Sequence, residues 1–79
     1  MKNNYLNFLK KEKNRIQELL WGLELDLKLY NQILILNKDM KKESIIQNYI
    51  NHIQNQIDIG KEKLKLIDKE INVSQMPKM

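Results

Sequence analysis

Apolar residues in the first half of the chain fall at Leu6, Leu9, Ile16, Leu20, Leu23, Leu27, Tyr30 and Leu34, in alternating steps of three and four broken only by Lys13. This spacing is the a/d seam of a heptad repeat and predicts one long helix with a narrow apolar edge. A local pattern competes with it. Residues 23–30, Leu-Glu-Leu-Asp-Leu-Lys-Leu-Tyr, alternate apolar and polar side chains, as a half-buried strand does. Composition decides between the two, because Leu, Glu and Lys favour helix whereas strands favour Val, Thr and aromatic residues. The helix also accounts for the alternation, with Leu23 and Leu27 on the seam and Leu25 and Leu29 pointing elsewhere.

After the polar stretch at 37–44, a second seam runs through Ile46, Ile50, Ile53, Ile57, Gly60, Leu64, Ile67 and Ile71. Folded back on the first, it sets Leu34 opposite Ile46, Leu27 opposite Ile53, Leu20 opposite Gly60 and Leu9 opposite Ile71. The residue numbers of every facing pair add to 80, and each pair joins an a position to a d position, as antiparallel packing requires. Two unrelated seams have no reason to share one centre of reflection. The predicted fold is therefore all-α: a long antiparallel two-helix hairpin with coiled-coil-like packing. Helix one is expected over about 3–37, the turn over about 38–43, helix two over about 44–72 and a tail over 73–79. Ser44 with Gln47 fits a capping box and Asp39 is a rival cap, while Pro77 disfavours helical geometry at Met76. Gly60 is read as making room for Leu20, with the helix continuous through it.

A second apolar set remains once the seams are paired. In heptad letters the g and c positions hold Tyr5, Phe8, Leu19, Leu29, Ile33 and Leu36 in helix one, and Ile45, Tyr49, His52, Ile59 and Leu66 in helix two. The g sides adjoin in an antiparallel pair, so both sets form one lateral face. The opposite e/b side carries Gln17, Glu24, Asn31, Gln47, Asn51, Gln54, Asp58 and Lys61, with Lys10 expected near Asp68. An apolar face of this kind needs a cover. A second copy would supply it in a homodimeric four-helix bundle; the alternative cover is a different protein. Trp21 and Leu25 sit at b and f, off both the seam and the lateral face. Trp21 is a candidate interface anchor, given the weight of Trp in binding energy, although a half-exposed Trp packed near the second copy is the plainer reading.

Size makes the cover matter. At 79 residues and 9.6 kDa the chain buries only a modest core, and proteins of this size lean on disulfides, metals or oligomerisation. The chain has no Cys and one His, which leaves oligomerisation. No run approaches the roughly 18 apolar residues of a membrane span, and Met1 to Leu9 lacks the apolar core of a signal peptide. These features predict a cytoplasmic protein without membrane contact, in which Asn72-Val73-Ser74 is no glycosylation site. Abundant Asn, Ile and Lys, with no Ala, suggest an AT-rich genome, that of a low-GC bacterium or of a phage or other mobile element of one.

The net charge of +4 is concentrated at the open end of the hairpin, where a nucleic-acid backbone could meet Lys11, Arg15, Lys65 and Lys69. Interleaved acids, as in Lys61-Glu62-Lys63 and Lys69-Glu70, make this pattern equally that of a solvated helix exterior. Nothing supports catalysis. A nucleophile-His-acid site has no cleft, no Gly-rich phosphate loop is present, and no cofactor, metal or small-molecule substrate is implied. His52 is expected to be a packed or interface-edge residue. The expected function is that of a small non-catalytic protein-binding module acting as regulator, adaptor or inhibitor. The alternatives are a nucleic-acid-binding helical-bundle regulator and a subunit of a structural coiled-coil assembly.

Overall fold

The computed structural model describes residues 2–75 and consists of two helices, α1 (Lys2–Leu36) and α2 (Met40–Gln75). They pack side by side as an antiparallel hairpin in a rod of 63 × 16 × 14 Å. Residues 23–30 are helical throughout, and no strand occurs among the described residues.

The turn is tighter than the polar stretch suggests. Only Asn37, Lys38 and Asp39 lie between the helices, so helix two starts four residues earlier than expected. Asp39 is the cap: its Oδ1 accepts the Lys41 N–H at 2.9 Å, and its carbonyl accepts the first helical bond from the Glu43 N–H at 2.9 Å. Asn37 braces the turn, its Nδ2 donating to the Asp39 carbonyl at 2.7 Å and its Oδ1 accepting the Asp39 N–H at 3.3 Å. Ser44 lies inside α2 and is exposed. An N-cap carboxylate meets amides that have no partner in the helix. Asp39→Ala is accordingly expected to cost about 1 kcal/mol and Ser44→Ala to be close to neutral, both measured by urea unfolding. At the other end α2 runs on to Gln75, three residues past the expected stop, because proline restricts chiefly the residue before it. The rest of the expected tail, 76–79, lies outside the described residues.

The core is the two seams. Leu9, Ile16, Leu20, Ile50, Ile53, Ile57 and Ile71 are buried, and Leu23, Leu27, Tyr30, Leu64 and Ile67 pack around the central four at half burial. Gly60 makes room for Leu20. A β-carbon at this position would lie 2.6 Å from Leu20 Cδ2, so the helix stays continuous and Leu20 fills the space that a side chain at 60 would need.

Lys13, the one break in the first seam, is accommodated through its own length. Its side chain is only partly exposed and its Nζ reaches Asp68 Oδ1 at 2.7 Å. The acid's partner is therefore Lys13 and not Lys10, because an a-position amine lies nearer the e position of the facing helix than does an exposed e-position amine on its own. A pair this exposed contributes at most about 1 kcal/mol, less than a leucine gains by burial opposite Ile67. Lys13→Leu should raise the unfolding free energy by roughly 1 kcal/mol; a loss of stability in urea titration would mean that the ion pair outweighs the seam.

Candidate interaction surface

The two helices bring the g and c positions together along one side of the rod. The g sides meet directly at the open end, where the Tyr5 hydroxyl donates to Glu70 Oε1 at 2.9 Å. That bond raises the Tyr5 phenol above its ordinary pKa, with desolvation and the Glu70 charge adding to it. Toward the turn, the Tyr30 and Tyr49 rings lie 4.8 Å apart at 52°, and His52 follows at 6.5 Å from Tyr49.

Every apolar side chain expected on this face is exposed, from Ile33 at 38% to Leu36 at 79%. Phe8, Leu19, Leu29, Ile45, Tyr49, Ile59 and Leu66 fall between those limits, and His52 is exposed among them. The hairpin by itself therefore leaves a second apolar stripe in water along its whole length. Near the middle the stripe is hollowed into a groove of about 260 Å³, floored by Ile16, Leu20, Leu23 and Gly60 and flanked by Leu19 and Ile59. Gly22, at a c position on the same face, has no neighbour within 4 Å of where its β-carbon would stand.

Charges punctuate the stripe. Arg15 forms a two-pronged bond to Glu12, Nη2 to Oε2 at 2.9 Å and Nε to Oε1 at 3.2 Å. This pairing holds the Glu12 carboxyl below its ordinary pKa and raises that of the guanidinium. Asp26 occupies the next g position but one toward the turn.

Trp21 and Leu25 lie off this face. Trp21 is 67% exposed on the polar side, beside Asn14, Gln17 and Glu18, and Leu25 is exposed at f. Three exposed apolar residues were not anticipated: Ile35, Met40 and Val73. Val73 was legible, because the seven-residue series Ile45, His52, Ile59, Leu66 continues to it once α2 is allowed past 72. Ile35 and Met40 flank the turn at b and e positions, on the side opposite the stripe.

The basic candidates are not gathered. Lys11 and Lys69 occupy f positions on opposite outer edges of the hairpin, Lys65 lies toward the polar side and Arg15 toward the apolar face, where Glu12 holds it. Among the described residues no group of three His, Cys, Asp or Glu side chains could hold a metal ion, and no helix is long and apolar enough to cross a membrane. No protein-family model, curated protein or solved structure matches the chain.

Proposed function

We propose that this chain is a non-catalytic protein-interaction module that works as a four-helix bundle of two copies and regulates, adapts or inhibits a protein partner. The observation that carries the reading is the uncovered apolar stripe. The hairpin exposes 6797 Å², whereas a compact monomer of its mass exposes about 5,100 Å². The excess is about twice the ~800 Å² per partner that a standard interface buries. A second copy is the occupant favoured by the stripe's length, since the stripe runs the full rod and an isologous contact covers all of it at once. With two copies joined through this face, Trp21 and Leu25 remain outside as apolar groups for a further protein, which suits Trp21 as an anchor.

The test is the absolute mass by light scattering after size exclusion at several loading concentrations. Twice the chain mass, held on dilution, is the expected result; a helical monomer at every concentration overturns the reading.

A further inference from the structure

Resting on the dimer reading, and going beyond it, we infer that self-association is anchored at the groove halfway along the rod, into which the partner's Leu19 and the partner's Ile59 pack. The stripe as a whole calls for a second copy; the groove is the part of it that holds that copy.

Register comes first. An isologous contact through a flat face has its two-fold axis in the plane of that face. With the axis along the rod, every residue keeps its height, so the middle of one copy lies on the middle of the other. With the axis across the rod, the stripe is covered from end to end only when the axis passes through the middle, and middle again lies on middle. The same stretch is therefore apposed whichever helix lies over which.

That stretch is the groove. With α1 spanning Lys2–Leu36 and α2 spanning Met40–Gln75, the rod is halved about level with Leu20 and Gly60, which both line the groove. Within one helical turn of this level, about 5 Å, the large apolar side chains on the face are Leu19 and Ile59, both exposed and both flanking the groove. The next ones, Leu66 and Leu29, stand roughly 9 and 14 Å away along the rod. A second copy therefore brings its own Leu19 and Ile59 over the groove.

Size and surroundings agree with this occupant. An apolar cavity of about 150 Å³ takes up a benzene, so a groove of about 260 Å³ has room for a branched aliphatic side chain. Left unfilled, it would become a void between the two copies, which close-packed interiors seldom keep. Arg15, Gln56 and Lys63 stand around its apolar floor. An apolar pocket at the centre of an interface, ringed by groups that exclude water, is the setting in which a few side chains carry most of the binding energy. Leu36 and Ile45, near one end of the stripe, fall at the wetter rim.

The test compares identical truncations at the middle and at the end, by the dissociation constant of the dimer from sedimentation equilibrium. Leu19→Ala and Ile59→Ala should each weaken the dimer about thirtyfold or more, whereas Leu36→Ala and Ile45→Ala should change it less than about fivefold. All four side chains are exposed in the hairpin, so circular dichroism should show the same helix content in every variant. Leu19→Met, which keeps the volume, should retain most of the affinity. A Leu19→Ala dimer as tight as the wild type, or losses at Leu36 and Ile45 as large as those in the middle, overturns the anchor while leaving the dimer standing. A wild-type monomer at every concentration overturns the dimer and its anchor together.

Discussion

Ile57→Ala should lower the unfolding free energy by about 3–4 kcal/mol, a typical loss for emptying a fully packed aliphatic site. Ile57 is 2% exposed at the centre of the cluster formed with Ile16, Leu20 and Ile53. It has no loop to collapse on and only one helix facing it, so a cavity there stays open to Leu23 and Leu27. A chain of this length has roughly 4–12 kcal/mol in total, and the variant should be largely unfolded at moderate urea where the wild type is helical. Ile35→Ala removes the same atoms from a site that is 81% exposed and should be neutral or slightly stabilising, since Ala is the better helix former. Both are read by urea titration at one fixed protein concentration, because the proposed self-association would make unfolding depend on it. Equal losses for the two variants would contradict the arrangement of the seams.

The contrast between Ile57 and Ile35 also marks what the amino-acid pattern can disclose. A seam is a periodic signal summed over many turns, so the hairpin, its register and the Leu20–Gly60 contact are all legible in the amino-acid pattern. The ends of the helices were less so. Asp39 and Ser44 offered two caps of similar chemistry, and the choice turned on Asn37, whose side chain closes a three-residue turn through two hydrogen bonds that no propensity scale contains. Lys13 illustrates the same limit. The pattern showed a cation in an apolar seam, but the partner depended on how far its stem could reach, and this selected Asp68 over the e-position pairing. On the candidate surface, the g/c stripe was readable because it shares the seam's period. Ile35 and Met40 lie outside that stripe, at b and e positions beside the turn on the side that is otherwise polar, so their phase exposes them although they belong to neither apolar series.

Gly60 brings the close-packed hairpin to its sharpest test. Gly60→Val should destabilise by about 2 kcal/mol, as overpacking costs 1–3 kcal/mol and Val recovers only a few tenths of the helical penalty of Gly. The cause is local: the first added carbon would already stand 2.6 Å from Leu20 Cδ2 and 3.2 Å from its Cγ. With Ala the single methyl can be met by a small shift of Leu20 into the neighbouring groove, and the gain in propensity, about 1 kcal/mol, offsets that shift, so Gly60→Ala should come out near zero. Val adds two carbons that the groove does not take. Leu20→Ala alone should cost about 3 kcal/mol, yet in the Gly60→Val background it removes the clash as well as the packing. The double variant should therefore be more stable than the two single losses predict by at least about 1 kcal/mol, the coupling expected of residues in contact. Additive losses would mean that Leu20 and Gly60 do not share one space, and the register that sets every other pair in the hairpin would fall with them.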